Sequence, residues 1–160
     1  MTASTSKKAI LERFDREPLS GFVNPRTYLQ PNGVELLSVS GTVALIPYAE
    51  IKAICFVREF QGPGMPERRV FHTRPKAAGL WVRLHFRDGE CLEGLLANNL
   101  MQLETAGFHI APPEAASNTQ RLFVPRAALK EVQVLGVIGS PLRPRSKPKV
   151  EPRGQIKLFE

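Results

Sequence analysis

The feature that most narrows what this chain can fold into is an internal repeat. Ile46-Pro47-Tyr48-Ala49-Glu50-Ile51-Lys52-Ala53-Ile54 aligns without gaps with Val124-Pro125-Arg126-Ala127-Ala128-Leu129-Lys130-Glu131-Val132, at an offset of 78 residues. Pro, Ala and Lys are shared, and every aliphatic position stays aliphatic. Upstream, Gly33-Val34 matches Gly107-Phe108, Gly21-Phe22 matches Gly94-Leu95, and Phe14 matches Phe86, at offsets of 74, 73 and 72. A slow drift of this kind is what loop insertions between matching strands produce. Self-similarity decides the architecture before any local reading does, and a chain of 160 residues then holds two units of roughly 50 to 60 residues, near the lower limit for independent folding.

Each copy reads as a series of short strands. In the second, Val82, Leu84 and Phe86 alternate with Arg83, His85 and Arg87, the period of a strand with one buried face. Asp88-Gly89 is a two-residue hairpin signal, and Glu90 to Leu96 returns as a strand in which Gly94 permits a bend or bulge. A turn at Asn98-Asn99, strands at about 107–111 and 120–124, a short turn over Ala127 to Leu129 and a strand at 131–137 complete the copy. The first copy, residues 8–57, keeps the order less cleanly: Glu12 stands where the second has Leu84, and its hairpin, Asp15-Arg16-Glu17-Pro18, has no Gly. Between the copies, residues 58–79 carry three Gly and three Pro and read as a long, partly ordered connection, with Val70-Phe71-His72 as an extra edge strand. The expectation is an all-β protein of two tandem five-stranded small barrels, 8–57 and 80–138, followed by a disordered basic tail.

Val82 to Gly94, a strand, an Asp-Gly turn and a strand ending in Gly, resembles the first motif of the Sm-like (LSm) fold, and Val124 to Val132 resembles its second. The chain is also similar to uncharacterised bacterial proteins with the same Asp-Gly-Glu and Val-Pro-Arg signatures. The Sm-like resemblance implies RNA contacts from the loop after the second strand and from a basic residue before the last. Their positional counterparts are Asn98, Asn99 and Arg126. The aromatic residue and Asp of that loop are missing, and the Arg-Gly pair of the second motif is Arg126-Ala127 here.

Composition changes abruptly at residue 139. Residues 139–154 interleave Pro141, Pro144, Pro148 and Pro152 with Arg143, Arg145, Lys147, Lys149 and Arg153, a pattern that removes backbone donors and apolar mass together. By count, residues 141–160 contribute +4 of the chain's formal +7, so the basic character describes the tail more than the barrels. Gln155-Ile156-Lys157-Leu158-Phe159 then turns apolar. This pentapeptide resembles the motif by which bacterial replication and repair proteins dock on the DNA polymerase sliding clamp. Leu158 and Phe159 would fill a hydrophobic pocket, Ile156 would pack beside them, and Gln155 would hydrogen-bond at the rim. About 15 extended residues span roughly 45 Å, enough to tether a barrel to a large ring. Packing of the pentapeptide as an edge strand on a barrel or on another copy is the alternative.

Other classes find little support. Cys55 and Cys91 are too few for a disulfide framework, so a reduced, cytoplasmic setting is the simplest reading. No run approaches the roughly 18 apolar residues of a membrane span. His72, His85 and His109 lack zinc-site spacing, and no cofactor motif or Ser, His and carboxylate set occurs in a recognised context. Ser38 and Ser40 read as turn residues. The expectation is a non-enzymatic adaptor that binds the sliding clamp through its tail and is linked to DNA replication or repair. The alternative is an RNA- or single-strand-binding protein using Asn98, Asn99, Arg126 and the tail bases.

Overall fold

The computed structural model describes residues 6–114 and 117–139. Eleven strands are β1 (Lys7–Arg13), β2 (Leu19–Val23), β3 (Leu29–Gln30), β4 (Gly33–Ser38), β5 (Val43–Pro47), β6 (Ile51–Val57), β7 (Gly79–Phe86), β8 (Cys91–Leu96), β9 (Gly107–Ile110), β10 (Thr119–Pro125) and β11 (Leu129–Ile138). One-turn 3-10 helices at Tyr48–Glu50 and Arg126–Ala128 separate β5 from β6 and β10 from β11. Both follow a proline in extended conformation, Pro47 and Pro125, so the repeat noticed in sequence is this strand, turn and strand.

Each repeat has the same strand order. The first runs β6-β1-β2-β4-β5, with β3 an added two-residue strand on β4. The second runs β11-β7-β8-β9-β10, with β8 and β9 joined by the Leu95 and Ala111 bridge. The sheets are open, in contrast to the expected pair of closed five-stranded barrels. Within a repeat the 3-10 turn carries the chain away, so the fourth and fifth strands do not pair. Instead β6, the fifth strand of the first repeat, pairs antiparallel with β10, the fourth of the second. That single junction fuses seven strands and the β5 branch into one eight-stranded sheet, with β11-β7-β8 as a second sheet.

Both hydrophobic cores draw on both repeats. One gathers Val82, Leu84, Phe86, Leu92, Ile110, Leu122 and Val124 with Ile10, Ala53, Cys55 and Val57. The other gathers Ala9, Leu11, Val23, Val34, Leu36, Ile51 and Ile54 with Phe123. Strands β1, β6 and β10 therefore form a wall buried on both faces, alternate residues entering opposite cores. Two-sided burial removes the apolar and polar alternation, and this is why the first repeat reads poorly as a sequence.

The buried charged side chains Lys52 and Glu93 are paired. Lys52, buried in β6, reaches the hairpin of the second repeat, where its Nζ donates to Asp88 Oδ2 at 2.8 Å and to Glu90 Oε1. The Lys52 bond holds the Glu90 carboxyl below its ordinary range, and at Asp88 bonds from Lys52 and the Glu90 N–H outweigh burial to the same effect. Glu12 is pushed the other way by burial, against the pull of Lys52 and Arg69. Arg87 completes the clasp: its guanidinium donates to Ala49 O at 2.8 Å and Ala127 O at 3.0 Å, one in each 3-10 turn.

The hairpin itself differs from the expected two-residue turn. Gly89 N–H donates to Phe86 O at 3.0 Å and Phe86 N–H to Glu90 O at 2.8 Å, closing a three-residue loop, Arg87-Asp88-Gly89, whose last residue has φ 95°. A type I turn followed by a left-handed glycine gives this geometry. Nor do Val70-Phe71-His72 form a strand. The connection is fastened by individual hydrogen bonds instead. Asn118 bonds Glu59 and Pro63, Thr119 bonds Gly64, and Glu93 N–H donates to Arg69 O. Ser38 and Ser40 do form a turn, Oγ to Oγ 2.8 Å, with Gly41 at φ 96°.

Glu93, 4% exposed, anchors this connection: Oε1 accepts from Phe71 N at 3.0 Å and Trp81 Nε1 at 3.2 Å, and Oε2 from Arg83 at 2.9 Å. Burial tends to raise its pKa, but the three donors prevail and hold it below the ordinary value. Glu93→Gln sets an amide NH2 against the Arg83 donors, so urea unfolding will show a loss of about 1–3 kcal/mol. Because Asp88, Glu90 and Glu93 all have lowered values, their contribution is full above the ordinary carboxylate pKa and disappears as pH falls through the folded values. Below pH 4.5 the Glu93→Gln and native curves will converge.

Candidate functional site

The junction of the repeats creates a cleft. The register between β10 and β6 shifts between Thr119 and Arg121, a bulge beside which Gln120 and Arg121 line the seam. Here Lys7, Tyr28 and Phe56 of the first repeat face His109, Gln120 and Arg121 of the second around a volume of about 380 Å³. A second cavity of about 280 Å³ shares His109 and Arg121 and includes Gln102 and Glu104.

The floor is aromatic. Phe123 meets the Tyr28 ring edge-on at 6.2 Å and the His109 ring at 4.9 Å, and Tyr28 meets Phe56 edge-on at 5.7 Å. Among the described residues, the Tyr28 hydroxyl and His109 Nδ1 are buried side-chain atoms without a hydrogen-bond partner. Buried polar atoms without a protein partner are uncommon, and a water or a ligand atom can satisfy them. Burial drives the Tyr28 phenol far above its ordinary range, so it is a donor at any physiological pH. Burial and the nearby Arg121 lower the His109 pKa against the pull of Glu104, whose carboxylate lies 4.0 Å from Nε2. A neutral imidazole that keeps its proton on Nε2 toward Glu104 leaves Nδ1 as an acceptor. The cleft is thus lined by Tyr28 and His109, each with a buried polar atom that lacks a partner, and by two cations, Lys7 and Arg121, a set suited to an anionic ligand carrying a planar or polar group.

The residues singled out from sequence have other neighbours. Asn99 caps the 3-10 turn Leu100–Gln102, its Oδ1 accepting from Met101 N at 3.0 Å, and Asn98 is exposed beside it. Arg126 donates from Nε to Thr105 O at 2.9 Å, and its guanidinium lies 5.0 Å from the centre of the Phe108 ring. Asn99 and Arg126 therefore hold the loop between β8 and β9. Arg143, Arg145, Lys147 and Lys149, and the docking peptide Gln155, Ile156, Lys157, Leu158 and Phe159, lie outside the described residues.

Sequence reading passed over one further constellation. Cys91 Sγ lies 3.2 Å from His85 Nδ1, and His85 Nε2 lies 3.2 Å from Gln133 Oε1. The three come from β8, β7 and β11 and meet across neighbouring strands. A thiol, an imidazole and an orienting amide is the order of a nucleophile, its base and a support. Here Cys91 and Gln133 lie on exposed sheet surface, and neither cavity of the seam includes them. The seam was equally hidden from the sequence, since Tyr28, His109 and Arg121 are far apart along the chain and none belongs to a motif.

The fold and the seam define an all-β protein of two fused repeats with a polar cleft between them. The chain belongs to a family of unknown function, DUF6982, which matches residues 5–136 and so covers both repeats and stops short of the tail. No curated protein and no solved structure matches it. No helix among the described residues is long and apolar enough to cross a membrane.

If the Tyr28 hydroxyl lacks a partner in the free protein, deleting it removes a desolvated group and no bond. Tyr28→Phe will leave the thermal midpoint unchanged or raise stability by up to about 1 kcal/mol. A loss above that in calorimetry would mean that the hydroxyl is bonded.

Proposed function

We propose that this protein is a non-enzymatic, cytoplasmic adaptor built from two fused Sm-like units, which docks on the bacterial DNA polymerase sliding clamp through Gln155-Ile156-Lys157-Leu158-Phe159 and so acts in DNA replication or repair. The observation that carries it is the pentapeptide itself, two large apolar side chains behind an aliphatic residue and a Gln, following a segment rich in Pro, Arg and Lys. The body supports the division of labour. Both repeats complete their strand order by Ile138, so neither needs the peptide to close its core. The order five-one-two-three-four in each repeat, with a 3-10 turn before the fifth strand, supports the Sm-like kinship.

One observation favours a second reading, a protein that holds single-stranded nucleic acid. Lys7 and Arg121 beside Tyr28 and Phe56 would suit a phosphate and a base in the seam, better than Asn99 and Arg126, which are already engaged. Titration calorimetry of the full chain into purified sliding clamp separates the two. The adaptor reading expects saturable binding at tens of micromolar or tighter (about −6 kcal/mol or better), abolished by Leu158→Ala with Phe159→Ala and nearly insensitive to salt. No heat, or undiminished binding by that variant, contradicts it. Anisotropy of a labelled single-stranded oligonucleotide that falls steeply between about 50 and 200 mM salt, and weakens with Arg121→Gln, supports the second reading instead.

A further inference from the structure

The seam cleft and the cavity beside it adjoin at His109 and Arg121, which line both. Their lining residues follow the strand order of the sheet. Lys7 belongs to β1, Phe56 to β6, Arg121 to β10 and His109 to β9, and the bridge between Leu95 and Ala111 carries the row on to β8. The two cavities thus make one groove that crosses five strands, and its ends differ in character. The seam end, about 380 Å³, holds both cations, Lys7 and Arg121, beside Tyr28, Phe56 and Gln120. The far end, about 280 Å³, is walled mainly by small and aliphatic residues, among them Ala77, Ala78, Leu95, Leu96 and Leu103.

Two further observations mark the groove as a place for a ligand. Tyr28, 3% exposed, lines the seam end with a hydroxyl that has no hydrogen-bond partner among the described residues. At the far end Leu103 leaves 43% of its surface in water. Neither Lys7 nor Arg121 takes part in an ion pair among the described residues, so both charges are available to an incoming anion.

We propose that this groove binds a small free amphipathic acid, its carboxylate at Lys7 and Arg121 in the seam and its apolar tail in the cavity lined by Leu95, Leu96 and Leu103. A guanidinium matches a carboxylate in shape as well as charge. The carboxylate oxygens supply the acceptor that the Tyr28 hydroxyl lacks. Direction follows from charge: Glu104 lines the far end, with its carboxylate 4.0 Å from His109 Nε2, and repels an anionic head from that half. The tail gains by leaving water for an aliphatic wall. A nucleic-acid base and phosphate would occupy the seam end and leave the far cavity unused, whereas an amphipathic acid uses both. The site is separate from the C-terminal pentapeptide and does not rest on the adaptor reading.

Titration calorimetry of the full chain with sodium octanoate, kept below micelle formation, tests this, with far-UV circular dichroism to confirm that each variant is folded. Octanoate will bind saturably, one per chain. Hexanoate will bind about tenfold more weakly, since each methylene taken from water is worth about fourfold in affinity. Acetate, a head without a tail, and octanol, a tail without a charge, will each bind at least about tenfold more weakly than octanoate. Arg121→Gln will weaken octanoate by about tenfold. Ala78→Trp, at an exposed position on the far wall, will remove the preference for octanoate over hexanoate. Absence of saturable heat overturns the proposal, as do octanol binding equal to octanoate, undiminished binding by Arg121→Gln, or a chain-length preference that survives Ala78→Trp. A single-stranded oligonucleotide that binds through Arg121 and is not displaced by octanoate also overturns it and gives the seam to nucleic acid.

Discussion

The pairing of β6 with β10 is the contact on which the rest of the structure depends. It places a strand of one repeat where the other repeat would need its own fifth strand, and it puts β1, β6 and β10 between two cores. Ile54 and Phe123 enter one core and Cys55 and Leu122 the other, all fully buried. At roughly 1.5–3 kcal/mol for each large apolar side chain taken from water, Ile54, Leu122 and Phe123 contribute several kcal/mol at this wall. Lys52 shows how strictly the junction is specified. Its charge is buried where the partner repeat's Asp88 and Glu90 bond it, so a slip in register would break both bonds.

The seam cleft is a product of the same junction. The bulge at Thr119 to Arg121 interrupts the β6 and β10 ladder where Val57 ends it, and the gap is walled by Tyr28 and Phe56 on one side and His109 on the other. A cleft made by two repeats can lose its symmetry without cost to either. The repeat equivalent of Arg121 is Val43, so the cationic cleft belongs to the inner junction alone.

Much of the fold was legible in the residues. Alternation at Val82, Leu84 and Phe86 located β7, and the turn expected at Ala127 to Leu129 lies one residue earlier, at Arg126–Ala128, because these features report one buried face and one local turn. What escaped was non-local. Strands β1 and β6 are buried on faces that belong to both cores, and no period of two survives in them. Whether two repeats close separately or share a sheet is decided by which edge meets which, and a single chain's pattern says nothing of it. The hairpin at Asp88-Gly89 was located but miscounted by one residue, since Arg87 joins the loop to reach Ala49 and Ala127. The cleft was invisible for the same reason as the wall: Tyr28, His109 and Arg121 are brought together by strand order alone.

If the shared wall makes the two repeats one cooperative unit, damage in the first must be felt in the second. Leu36 is fully buried in the first repeat's core, and Trp81 lies on β7 of the second. Leu36→Ala should cost about 2–5 kcal/mol. In urea unfolding, the midpoint reported by Trp81 fluorescence should fall with that substitution as far as the midpoint reported by far-UV circular dichroism. A Trp81 midpoint that stays at its native value while the dichroism splits into two transitions would show two independent repeats and contradict the account.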